Sequence, residues 1–304
     1  MTAGPDGSLR QRLADATERL RAAGVPSPRH DAEALAAHAL HVGRGDLARF
    51  DALDAAQLSA FDDAVARRAL REPLQHIVGT AAFRHVELAV GPGVFVPRPE
   101  TEVVVGWAVD RARELVAAGR APVVVDLCTG SGAIALAVAD EVPTARVHAV
   151  ELDPGALVWA RRNLAGTAVE LHEGDAATAL PGLDGTVDLV VSNPPYIPPD
   201  GVIRDPEVAE HDPALALWGH GQDGLDVLRA VALTAGRLLR PGGWFVVEHA
   251  DVQGEAVPAA LREQGGWDQV ADHRDLAGRD RFTTARRLPP AADPTEQRED
   301  TEDA

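Results

Sequence analysis

Lysine is absent from the chain: all 29 basic residues are arginine, set against 47 acidic ones, for a formal charge of −18. That balance leaves little for a broad phosphate-binding face and argues against non-specific nucleic-acid binding. The arginine-only usage, beside abundant Ala, Gly and Val, reads as codon bias and carries no functional conclusion. A single cysteine, Cys128, excludes an internal disulfide and a thiolate zinc cluster, and fits a reducing compartment. No apolar run approaches the roughly 20 residues of a membrane span. The opening MTAGPDGSLRQRL lacks the apolar core of a signal peptide, so the expected location is the cytoplasm, with no membrane partner. Apolar residues, at 45%, suffice to bury the core of one large domain and one small one.

From Ser8 to Arg71 the apolar residues recur at helical spacing, with Gly24 and Gly43 placed as C-terminal stops. This predicts a small helical domain over 1–75. A connector over 76–97 follows, where QHIVGTAAFRHVELAVGPGVFVP alternates in the manner of a hairpin. Strand-like and helix-like segments then alternate over 98–288, with strands expected at 122–127, 146–151, 168–173, 186–192 and 243–249. Alternation of this kind implies a mostly parallel sheet with helices on both faces. Segments 267–273 and 280–287 are joined too closely for a crossover, which predicts one antiparallel hairpin at a sheet edge. The tail 289–304 is acidic and aperiodic and is expected to be disordered.

Two constellations carry chemistry. In VVVDLCTGSGAIALAVA an apolar strand runs through a glycine turn into an apolar helix, where free backbone N–H groups meet a ligand's polar parts. About 20 residues on, Glu151 ends the next strand, where such folds hold ribose hydroxyls. The turn departs from a dinucleotide fingerprint and has Asp126 at the strand end. It suits a ligand with an ammonium and no pyrophosphate, as in S-adenosylmethionine. Asp175 follows the third strand and is placed either to accept from the adenine amine or to cap the segment after it.

The second constellation is Asn193-Pro194-Pro195-Tyr196, after the fourth strand. The prolines stop the ladder and stiffen the loop. A planar –NH2 group can place one hydrogen on the Asn193 oxygen and the other on the Pro194 carbonyl while Tyr196 stacks on it. Arg98 and Glu100 in VPRPETE read either as lining the cofactor's methionine end or as a proline-led helix start capped by Thr101. Glu248 and His249 end the fifth strand in a supporting position. The histidines of the first helices show no metal spacing, and no metal is expected.

The segments REPLQHIVG, VPRPETE, DLCTGSGAIAL, SNPPYIP, HDPALAL, GLDVL, VEHA and GRDRF together resemble the peptide chain release factor methyltransferases of the PrmC/HemK type, from about Ala14 to Arg287. The resemblance implies a Rossmann-like class I methyltransferase sheet behind a small N-terminal helical bundle that docks the substrate. It implies methyl transfer from S-adenosylmethionine to the glutamine side-chain amide of the Gly-Gly-Gln motif in class I release factors. By position it implies a cofactor site of Cys128, Thr129, Gly130, Ser131, Gly132, Glu151, Asp175, Ala176 and Asn193, to which the strand-end reading adds Asp126, with Asn193, Pro194, Pro195 and Tyr196 gripping the glutamine. Cys128 stands where glycine is usual, Glu151 where aspartate is common, His76 where tyrosine is common, and Ala176 where some members carry an aromatic ring. A cysteine is expected to hold the turn with ordinary φ. Asn-Pro-Pro-Tyr alone is shared with adenine methyltransferases, so the alternatives are an adenine-amine methyltransferase on DNA or RNA, and a cofactor-binding domain without turnover. Charge and the connector motifs weigh against direct nucleic-acid binding.

Overall fold

Residues 7–289 are described by a computed structural model of the chain, so most of the expected acidic tail lies outside the described residues. In chain order the elements are α1 (Leu9–Ala22), α2 (Pro28–Leu40), α3 (Ala55–Ala69), α4 (Leu74–Val78), β1 (Thr80–Phe83), β2 (Val86–Ala89), α5 (Pro99–Ala117), β3 (Val123–Leu127), α6 (Ala133–Glu141) and β4 (Arg146–Glu151). Then come α7 (Pro154–Leu164), β5 (Glu170–Glu173), β6 (Val187–Ser192), α8 (Pro206–His211), α9 (Asp226–Leu238), β7 (Leu239–Glu248), α10 (Ala256–Gln264), β8 (Trp267–Arg274) and β9 (Asp280–Arg287). These elements fall into two compact units. Among the described residues, one comprises 7–81 with Glu87–Val96 and Val202–Pro213, and the other comprises Ala82–Val86, Pro97–Gly201 and 214–289.

Local chemistry sets the helix ends of the first unit. Ser8 accepts from the Gln11 N–H at the start of α1, and Asp54 with Gln57 forms a reciprocal capping box on α3. Gly24 takes φ 73° after α1, as a helix stop should. Gly43 does not stop α2. His41 takes the left-handed position there, at φ 55°, and Gly43 is extended. Leu20, Leu35, Phe61 and Val65 form the helical core. Beside it the Arg68 guanidinium, 3% exposed, donates to Asp31 at 2.7 Å and to Glu207 of α8 at 2.7 Å. Arg71 donates to the same Glu207 oxygen at 3.0 Å. Removing one member of a buried ion network leaves the others uncompensated. Arg68→Ala therefore lowers stability by about 3–5 kcal/mol in urea unfolding; a loss below about 1 kcal/mol, typical of an exposed pair, would show that Arg68 does not hold α8 in place.

In the second unit seven strands order as β5-β4-β3-β6-β7-β9-β8. The first five are parallel, and β9 pairs antiparallel with both β7 and β8, so the expected hairpin forms one sheet edge. The sheet was anticipated to enter its fifth strand at 243. It enters at Leu239, because β7 carries Pro241 and Gly242 through a register shift opposite Val187 and Leu189. Prolines and glycines signal turns in sequence, yet a bulge tolerates both. On one face α9 seats Leu228, Val231 and Leu238 against Val190 and Phe245, each worth about 1.5–3 kcal/mol of burial. The chain leaves β3 toward β4 and β5 and returns through β6, so the topological switch lies between β3 and β6. Ligands in open α/β sheets bind at that crevice, outside the strands' carboxyl ends.

Candidate functional site

Leu127 and Ser192 are register partners on β3 and β6, so the glycine turn and the Asn193 loop leave the sheet side by side. Asp126 is fully buried on the face opposite Val125 and Leu127. Its Oδ2 accepts from the Thr129 hydroxyl and, at 3.2 Å, from the Ala135 N–H. Gly132, the N-cap of α6, has no side chain to offer, so Asp126 supplies the cap from the strand. Burial pushes its carboxyl up to about 7, and its Oδ1 has no partner among the described residues.

Gly130 sits at φ 59° with nothing near the place a Cβ would occupy, so the turn opens onto free space. Gly132, at φ 86°, has Leu164 3.1 Å from that place and admits no side chain without movement. Cys128 reverses the expectation of an ordinary φ: it is left-handed, at φ 65°. The turn geometry belongs to the loop, and cysteine carries the strain where glycine would carry none. Its thiol is raised by burial and by Glu151 and Asp126, and stays protonated. Left-handed strain of about 1–2 kcal/mol outweighs the extra chain entropy of glycine, about 0.5–1 kcal/mol. Cys128→Gly accordingly holds or raises the melting temperature, whereas Cys128→Val, β-branched at the same φ, lowers it; the reverse order in a thermal melt would disprove the strain.

Glu151, 8% exposed, ends β4. One oxygen accepts from the Gly130 N–H at 2.7 Å, the other from Leu152 and Asp153 N–H at 2.9 and 2.8 Å. The carboxylate thus ties the glycine turn to the next strand, and burial raises its pKa. Asp175 is exposed and caps the Ala177 N–H at 2.8 Å, while Ala176 is buried in the core. Of the two sequence readings for Asp175, the cap is present in the fold.

The Asn193 loop is fixed from several sides. The Ile197 N–H donates to the Leu217 carbonyl and the Gly219 N–H to the Ile197 carbonyl, across a short parallel bridge. Gln253 donates to the Tyr196 carbonyl at 2.9 Å. At Gly224, φ 75°, a Cβ would fall 2.5 Å from the Tyr196 carbonyl oxygen, so no side chain fits there. The Asn193 amide nitrogen donates to the Thr101 hydroxyl at 3.2 Å. Glu248, 2% exposed at the end of β7, lies beside Thr101 and Asn193, and both side chains favour its ionised form. The Thr101 bond claims one amide hydrogen of Asn193, and the Asn193 Oδ1 accepts no hydrogen bond among the described residues. Thr101 was expected as a possible helix cap. The N-cap of α5 is Arg98, and Thr101 is buried with its hydroxyl turned to Asn193.

Burial pushes the Glu248 carboxyl up to about 7, and its Oε2 has no partner among the described residues. Tyr196 is held neutral by burial and by the nearby Glu248. His249, fully buried, donates from Nδ1 to the Ala250 carbonyl at 2.9 Å, with Nε2 3.0 Å from the Thr283 hydroxyl and 2.9 Å from Asp272. Glu100 pairs with Arg279 at 3.1 Å. Thr101 and Glu248 are the members of this cluster that the sequence reading did not assign to Asn193.

Residues 11–79 match the PrmC N-terminal domain, and residues 124–203 match a methyltransferase domain. The chain is 58% identical to the release factor glutamine methyltransferase of Streptomyces coelicolor, over 91% of this chain and 98% of that protein. It is 54% identical to the protein of the same name from Mycolicibacterium smegmatis, over 92% and 98%. It is also 47% identical to the 4-amino-L-phenylalanine/4-methylamino-L-phenylalanine methyltransferase of Streptomyces pristinaespiralis, over 87% of this chain and 90% of that one.

Proposed function

The chain belongs to the release factor glutamine methyltransferase family, and from that premise we propose that it methylates the side-chain amide nitrogen of the Gly-Gly-Gln glutamine in a class I release factor. S-adenosylmethionine, when bound, supplies an electrophilic methyl group. The site residues fit it: a glycine turn open to solvent, a carboxylate in Glu151 with lone pairs left for ribose hydroxyls, and an unpartnered Asp126 oxygen beside the turn. Asp175, exposed, has an oxygen left for the adenine amine. The helical unit is the docking surface for the protein substrate.

The observation that carries the reading is the Asn193 carboxamide, whose nitrogen is held by Thr101 beside the buried Glu248. Its oxygen and the Pro194 carbonyl then form a fixed pair of acceptors for the two hydrogens of a substrate –NH2. An amide nitrogen is a weak nucleophile because its lone pair is delocalised. Holding both hydrogens lets the nitrogen's reacting face be set before the methyl arrives, with little reorganisation left to make. Tyr196 covers the flat group.

Such a grip takes any planar –NH2. The Streptomyces pristinaespiralis relative makes an arylamine a second reading, and adenine is the third. The discriminating experiment offers a purified class I release factor, 4-aminophenylalanine and an adenine-containing duplex to the chain with labelled cofactor. The release factor is expected to be methylated at least about 100-fold more efficiently in kcat/KM than either rival, a difference of about 2.7 kcal/mol in the transition state. Equal or better transfer to 4-aminophenylalanine would replace the amide reading with the amine one.

A further inference from the structure

On β4 and β5, away from the crevice, His148 pairs in register with Glu170, and Val150 with His172. Alternate residues of paired strands share a face, so His148, Glu170 and His172 project together. The His148 Nδ1 lies 3.2 Å from the His172 Nε2 and 3.6 Å from the Glu170 carboxylate, and all three donor atoms fall within 4.8 Å of one another. Metal–ligand bonds of about 2.0–2.2 Å at tetrahedral angles place donor atoms about 3.4 Å apart. We propose that His148, Glu170 and His172 form a divalent cation site of the zinc type, with its fourth position open to water.

The donor set, two imidazoles and one carboxylate, is the one zinc takes when a coordination position stays open. A simple hydrogen-bonded histidine pair accounts for less. One proton carried by either ring satisfies the His148–His172 contact, and the Glu170 carboxylate, 3.6 Å from the His148 Nδ1, is left facing the pair with no hydrogen bond from it. His148 is 4% exposed, and its Nε2 has no partner among the described residues. No hydrogen bond therefore forces the proton onto Nδ1, and with the proton on Nε2 the Nδ1 lone pair faces the cluster.

The site has a structural consequence. Strand β5 is four residues long and lies at the edge of the sheet. It runs straight into Gly174, whose N–H donates to the Glu151 carbonyl at 2.9 Å, and then into Asp175. A cation bridging β4 to β5 pins this short strand and steadies the segment assigned to the adenine end of the cofactor.

The test uses the full-length, untagged chain stripped with a chelator and titrated with Co2+ and then Zn2+. Expected are one saturating equivalent, visible d–d absorption of tetrahedral cobalt, displacement by zinc and a higher melting temperature with zinc bound. His172→Ala and Glu170→Gln change side chains at the sheet edge and should each weaken binding at least about tenfold. No saturable cobalt spectrum, or a spectrum and affinity unchanged in His172→Ala, would overturn the proposal; the latter would place the ion elsewhere.

Discussion

Asn193→Ala lowers the rate of methyl transfer about 10²–10³-fold, the loss typical of deleting one fixed polar contact to a reacting group, while S-adenosylmethionine binding changes only a few-fold. Alanine removes the Oδ1 acceptor and leaves one substrate hydrogen unheld, so the amide nitrogen no longer sits in one orientation. It also leaves the Thr101 hydroxyl without its amide partner. The backbone of the loop stays fixed through Ile197, Gly219 and Gln253, which do not use the Asn193 side chain. Stopped-turnover assays beside isothermal titration with the cofactor separate the two effects. A variant that binds cofactor normally and still turns over at the wild-type rate would remove Asn193 from the chemistry.

Glu248→Gln is the second large effect. Glu248 is buried beside Thr101 and Asn193, whose side chains favour its ionised form, and a hydrogen bond to a charged acceptor is worth about 1.5–3 kcal/mol. Glutamine keeps the shape and one acceptor oxygen. A 10–100-fold loss of kcat at pH 8, equivalent to about 1.4–2.7 kcal/mol, is the expected result. Because burial sets the Glu248 carboxyl at about 7, wild-type kcat should fall as pH drops below 7, when the group protonates and one oxygen turns from acceptor to donor. The variant's profile should lack that limb. An unchanged profile would reduce Glu248 to a packing residue.

The same raised carboxyl has a sign for stability. Its folded pKa lies above its unfolded value, so the folded state holds the proton through a window from about 4.5 to 7. Its contribution is complete below that window and is lost as pH rises through 7. His38, His148, His249 and His273 are lowered, chiefly by burial, and slope the other way near pH 6. The carboxyl's share therefore appears as the difference between wild type and Glu248→Gln in urea unfolding at pH 5.5 and 8.

The parallel strands, the glycine turn and the Asn193 loop were legible because each is a short apolar run ending in glycine or proline, where periodicity and stiffness speak directly. Three features were not. Cys128 adopts φ 65° because the loop demands it, and a cysteine by itself signals the opposite. Thr101 reaches Asn193 across 92 positions, and Glu207 reaches Arg68 across 139, so neither contact leaves a local pattern. Strand β7 begins in Leu239-Arg240-Pro241-Gly242, residues that read as a turn until a register shift absorbs them. The His148, Glu170 and His172 cluster likewise depends on the pairing of β4 with β5, which the sequence shows only as spacing 22 and 24 residues apart.

The most direct measurement is tandem mass spectrometry of a purified class I release factor after incubation with the chain and S-adenosylmethionine. A single added methyl on the side-chain amide of the Gly-Gly-Gln glutamine is the predicted result. A methyl carried by any other residue, or an unmodified release factor alongside a methylated adenine duplex, would contradict the account.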